Sequence, residues 1–241
     1  MIETLILQAA TLLAAFFQSA TGIGFGMIAG PVILIVLDDP AAVVISTAMS
    51  WLIALCLFPG LRRGTDLAML GRLSLGAALG ILPGLALLAT VDIETLKLLA
   101  GVVIGLLTAL IVFGAPGMTR PGLGGDLIAG ALGGLFGGCL AMPGPTAAIR
   151  MNGLGFEKRT VRATMVSFFV CIWPIILLGQ WLSVGVSAET ANNALRLVPA
   201  TLAGLVLGNY AAARLGETLF RRMVIAFLVL TSVSLIAGGL W

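Results

Sequence analysis

The sequence predicts an all-α polytopic membrane protein made of two inverted-topology repeats, each a Gly/Pro-broken helical hairpin followed by three transmembrane helices. Three observations predict it. The 241 residues are 60% hydrophobic and only 10% charged, with a mean hydropathy of +1.16. A soluble domain carries about 25% charged residues, and so much apolar surface cannot be hidden in one soluble core. Gly/Pro-rich breaks interrupt two apolar blocks at equivalent positions half a chain apart. Finally, the basic residues fall on one side of the bilayer only if the second half is upside down.

The apolar blocks run at 3–37, 41–61, 67–91, 95–115, 126–150, 160–182, 192–213 and 219–241. A spanning helix needs about 20 apolar residues, and six blocks have that length. The opening MIETLILQAATLL has an acidic residue where a signal peptide would be basic, so it reads as a retained first segment. Blocks 3–37 and 126–150 contain TGIGFGMIAGP and GGCLAMPGP, respectively. Pro removes a backbone donor and Gly is a poor helix former, so each of these two blocks folds back as a broken hairpin. Residues 3–20 could rise about 27 Å as helix, which leaves open whether the first hairpin is re-entrant or two full spans.

The first repeat covers 1–115 and the second 116–241. Gly30-Pro31 answers Gly144-Pro145, Gly80/Gly84 answers Gly204/Gly208, and ETLK at 94–97 answers ETLF at 217–220. With loop 62–72 in the cytoplasm and each broken block a hairpin, only Lys97 and Arg196 of the 13 basic residues lie outside. Eight single crossings would instead put eight of them outside. The positive-inside rule therefore selects the inverted arrangement. It places both termini outside and sets Trp181 and Trp241 at the outer interface.

Irregular backbone at membrane depth is tolerated where it is buried in protein or lines a cavity. The returning helices are expected to start near Gly22–Gly26 and near Pro143–Thr146. In an inverted pair their N-termini meet near the bilayer middle, and two helix N-termini with uncommitted N–H groups form an anion site. The candidate binding residues are Gln18, Ser19, Thr21, Gly22, Gly24 and Gly26 in the first half. In the second they are Pro143, Gly144, Pro145, Thr146 and Arg150, with Arg150 as counter-charge, four residues beyond Thr146 on the same helix face. Gly80/Gly84 and Gly204/Gly208 read as close-packing positions. No Asp or Glu is expected in the core of a span, so an acidic proton relay is not expected.

Catalysis is poorly supported. There is no His, Cys56, Cys139 and Cys171 have no ligand spacing, and both lysines sit in loops, so neither a metal site nor acid–base chemistry is expected. GIGFG lacks the preceding strand of a dinucleotide fingerprint. The net charge of +3 reflects loop arginines and implies no nucleic acid.

ATGIGFGMIAGP followed half a chain later by ALGGLFGGCLAMPGP resembles the sulfite exporter TauE/SafE family, also called the toluene sulfonate uptake permease family. The resemblance spans essentially the whole chain. It implies a multi-pass protein of the bacterial cytoplasmic (inner) membrane that moves sulfite, sulfonates or small carboxylates. The partners expected are thus a small anion and the lipid bilayer, with a proton or sodium ion as coupling options and no cofactor. An anion channel is the alternative to a carrier. Coupling ion, direction and oligomeric state, a homodimer included, do not follow from the sequence.

Overall fold

The computed structural model describes residues 2–113 and 120–211, with 225, 228, 229, 231–233, 235 and 236 of the last segment. The described chain is helical: α1 Ile2–Thr21, α2 Phe25–Leu37, α3 Ala41–Leu61, α4 Leu67–Thr90, α5 Ile93–Phe113, α6 Leu123–Leu140, α7 Gly144–Gly153, α8 Lys158–Val184 and α9 Ala188–Ala211, with a 3-10 turn at Arg62–Gly64. Seven helices among the described residues are long and apolar enough to cross a membrane. The chain is a multi-pass membrane protein. Arg214, Arg221, Arg222, Trp241 and ETLF at 217–220 lie outside the described residues.

Both expected breaks occur where the glycines and prolines stand. Gly22 and Gly24 take φ of 87° and 119°, the left-handed region that side chains resist, so α1 ends there and α2 restarts at Phe25. In the second hairpin Ala141 is itself left-handed (φ 57°), and Pro143 caps α7 with Pro145 in its first turn. Each hairpin has one long arm and one short return arm: 20 and 13 residues in the first, 18 and 10 in the second. By length, α1 is long enough to span and α2 is not.

The motif pairing is off register. Gly144-Pro145 opens α7, whereas Gly30-Pro31 lies inside α2, more than a turn beyond its start.

Glycine sets the closest helix approaches. Gly76, Gly80 and Gly84 on α4 meet α6, and Gly130, Gly134 and Gly138 on α6 meet α4, with the neighbour's backbone filling the place of each missing Cβ. Gly204 and Gly208 on α9 lie in the same way on the Leu12 and Phe16 carbonyls of α1. The Gly80/Gly84 and Gly204/Gly208 packing expectation thus matches the geometry. In a bilayer, where helices gain no hydrophobic drive from one another, such close contact is a main source of association. The most extensive packing is α4 on α6, then α1 on α9, with α3 against α8 between them.

Candidate functional site at the hairpin tips

The two tips touch. A Cβ at Gly26 would overlap the carbonyl oxygen of Ala141, and one at Gly144 would fall 2.9 Å from Cγ2 of Ile23 and 2.7 Å from Cζ of Phe169. Neither Gly24 at the head of α2 nor Pro143 at the head of α7 supplies a side-chain cap. The first-turn N–H groups of a helix have no partner within it; in α7, Pro145 contributes none, leaving fewer donors than in α2.

Beside the tips lies a cavity of about 170 Å³. Thr21, Ile23 and Gly24 of the first tip, Pro145, Ala148, Ile149 and Asn152 of α7, and Ile225 and Leu228 of the last segment form much of its wall. It runs from exposed Asn152 to buried Ile28 and Leu228. A second cavity, of only about 10 Å³, is bounded by Gly30, Pro31 and Leu34 of α2, Leu140 and Met142 of the second tip, Val43 and Ser46 of α3, and Ala100 of α5.

A family comparison adds to this geometry. The sulfite exporter TauE/SafE profile matches residues 7–235. The chain belongs to the TauE/SafE family. That is a family of membrane transporters, not of enzymes. Neither a curated protein nor a solved structure matches the chain.

In this TauE/SafE protein the first-half residues singled out from sequence gather at the first tip. Gln18 is fully engaged with α3: Nε2 donates to the Ser50 carbonyl at 2.9 Å and Oε1 accepts from Ser50 Oγ at 3.1 Å. The Ser19 hydroxyl is buried and has no hydrogen-bond partner among the described residues. Thr21 folds its hydroxyl onto the turn, accepting from the Ile23 N–H at 3.2 Å. In the second half, Thr146 donates to the Ala129 carbonyl at 2.9 Å and so staples α7 to α6.

Arg150 departs from the expected role. It is wholly buried, with Nε on Asp126 Oδ1 at 2.8 Å, Nη1 on the Arg120 carbonyl at 2.8 Å and Nη2 on the Gly122 carbonyl at 3.0 Å. Its guanidinium lies on Gly125, where a Cβ would come within 2.7 Å. All of these partners belong to the start of α6 or just before it, at the opposite end of the hairpin from the tip. A guanidinium so committed is a fastener within the hairpin and not a counter-charge at its tip. Asp126 also receives Arg72 Nη1 at 3.1 Å. Asp126 is 1% exposed, although it stands in the first turn of α6 and not in the core of that span.

Sequence reasoning missed Arg162. It stands in the second turn of α8, half-buried, with Cα and Cγ packed against Gly22. Nη2 donates to the Ser19 carbonyl and, at 2.9 Å, to Oδ1 of Asn209. Among the described residues no carboxylate pairs with it. A signal is present in the sequence, because Arg162 falls inside the apolar block 160–182.

Proposed function

We propose that the chain is a secondary transporter that carries a small sulfur-containing anion, of sulfite or sulfonate type, across the bacterial cytoplasmic membrane by alternating access. The observation that carries this reading is the contact between the two uncapped tips, Gly26 on Ala141 and Ile23 beside Gly144. Helix N-termini attract anions through oriented N–H groups and the helix dipole. Arg162, without a carboxylate partner among the described residues, adds positive charge behind the first tip.

The inverted repeat has independent support. Exchanging the halves maps α1 on α9 onto α6 on α4, and leaves α3 on α8 unchanged. The two cavities exchange as well: α2 with the second tip becomes α7 with the first. The distribution of basic residues puts Asn152 and the open end of the larger cavity toward the cytoplasm, and both termini outside. The transported anion, and a coupled proton or sodium ion, would then meet the site from one side at a time.

The test is labelled-anion counterflow in liposomes of the purified chain, with sulfite, short sulfonates and carboxylates in parallel. Saturable counterflow for one class is expected. Arg162→Gln should raise the half-saturating concentration about tenfold, the loss of one hydrogen bond to a charged group. Flux without counterflow would replace the carrier by a channel, and silence for every anion would remove the reading.

A further inference from the structure

We propose that the first turn of α8 and the linker from α3 to α4 together hold the headgroup of an anionic phospholipid. The linker is docked on α8. Its 3-10 turn, Arg62–Gly64, packs against that helix, and a Cβ at Gly64 would lie 3.3 Å from the Cβ of Ala163. The Thr65 and Ser167 hydroxyls hydrogen-bond at 2.7 Å, and the Asp66 N–H donates to Thr164 Oγ1 at 3.0 Å. Arg159 stands four residues before Ala163, about 6 Å along the helix. Segments 98 residues apart thus bring Arg62 and Arg63 close to Lys158 and Arg159.

Such a cluster is unfavourable as it stands. A helix N-terminus repels cations, yet the first turn of α8 carries Lys158 and Arg159 and no acid. Arg62, Arg63 and Arg159 are exposed, and none of them pairs with a carboxylate among the described residues. Asp66 is committed to capping α4, accepting from the Met69 N–H at 2.8 Å. Glu157, at the head of α8, makes no cap bond and sets one negative charge against the four positive ones. A bound anion would relieve this repulsion.

The surroundings favour a lipid as its source. The linker joins two helices, α3 and α4, that are each long and apolar enough to cross a membrane. The distribution of basic residues puts it at the cytoplasmic surface. Beyond it, Leu67, Leu75, Leu79 and Leu82 are exposed along one side of α4. A phosphodiester at the arginines would lay its acyl chains against these leucines, a contact that a soluble phosphate cannot make. Arginine suits the headgroup, because its planar fork gives phosphate two parallel N–H donors. Basic pockets between spans on the cytoplasmic side bind acidic headgroups in this manner.

Thermal unfolding of the detergent-purified chain tests this, titrated with phosphatidylglycerol, phosphatidylcholine or inorganic phosphate. Phosphatidylglycerol should raise the unfolding temperature, and the other two should not. The phosphatidylglycerol concentration giving half the effect should rise about fivefold for each of Arg62→Gln, Arg63→Gln and Arg159→Gln, the ordinary share of one basic residue at an anionic lipid surface. Lysine at the same positions keeps the charge and should recover most of that loss. Arg196→Gln, an equal loss of charge that the same distribution places outside, should leave the titration unchanged. Equal stabilisation by phosphatidylcholine would reduce the contact to its apolar part. Equal stabilisation by inorganic phosphate would replace the lipid by a soluble anion, and an equal loss in Arg196→Gln would reduce the cluster to net charge. Any of these three results overturns the proposal, and none of them bears on whether the chain carries an anion.

Discussion

The two return helices are fastened differently. At its far end α2 is tied to α5: Asp38, just past its last residue, pairs with Lys97 at 2.7 Å, across the side on which the small cavity lies. By contrast, α7 is tied to its own hairpin partner, through Arg150 to Asp126 and through Thr146 to the Ala129 carbonyl, on the side away from its cavity. Beside the first fastening, the cavity along α2 is about 10 Å³. The cavity along α7 is about 170 Å³. In a protein proposed to open one side at a time, the expectation is that what each return helix is bonded to sets which cavity is open.

The strongest way to break the comparison is at Asp126. Asp126→Ala leaves Arg150 charged, buried and without its carboxylate, and removing one partner of a buried pair costs about 3–5 kcal/mol. Thermal unfolding of the purified variant should show that loss. Arg150→Ala should likewise unfold more easily, so lost transport in that variant would report on the fold and not on anion affinity. If both variants are as stable as the parent, the fastening of α7 is not what keeps its cavity open.

Next in size comes the glycine seam behind α7. Because α6 lies on α4 with backbone in the place of the Gly80 and Gly134 side chains, Gly80→Ala must push the helices apart. Overpacking of this kind costs about 1–3 kcal/mol. The shift should carry α6 and α7 together and change transport along with stability. Gly71→Ala is the control, because no atom lies within 4 Å of where its Cβ would be. A loss at Gly71 equal to that at Gly80 would show that helix approach is not the cause.

These contacts also mark what was legible in the sequence. The breaks were, because Gly22, Gly24, Pro143 and Pro145 act on their own stretch of backbone, and the start of each return helix followed from them. The packing glycines were legible because their spacing of four puts them on one helix face. The ion pairs were not. Arg150 finds its carboxylate 24 residues away, and Arg162 finds its acceptor, the Ser19 carbonyl, 143 residues away. Nothing local distinguishes an arginine that reaches a tip from one that turns back along the hairpin. Repeat alignment went astray for a related reason. Gly-Pro is tolerated both at the start of α7 and inside α2, so the matching dipeptide did not mark matching places.

A smaller effect is expected at the second tip, where Ala141 holds the left-handed conformation that the first tip assigns to glycine. A non-glycine residue there costs about 1–2 kcal/mol. Ala141→Gly should therefore raise thermal stability by about 1 kcal/mol, less the entropy that glycine loses on folding. The methyl group also stiffens the tip beside Gly26, so transport should slow even as stability rises. Stability and transport rising together would mean that the left-handed alanine has no role in holding the tip.

The smallest change in stability should come from Asp38→Asn, and it bears most directly on the comparison. Asp38 is largely exposed and Lys97 also reaches Glu94 at 2.9 Å, so losing the pair should cost well under about 1 kcal/mol. Its consequence is positional. Without that bond α2 is free to leave α5, and the small cavity should enlarge. A cysteine at Leu34, in the wall of that cavity, reports this in a background lacking Cys56, Cys139 and Cys171. An impermeant thiol reagent added from outside should label it faster in the Asp38→Asn chain, while a cysteine at Ala148, in the larger cavity, should be unaffected or react more slowly. Faster labelling at Leu34 with slower labelling at Ala148 would couple the two cavities and make the salt bridge one side of an alternation. Unchanged labelling at Leu34 would show that α2 is held shut by its packing alone.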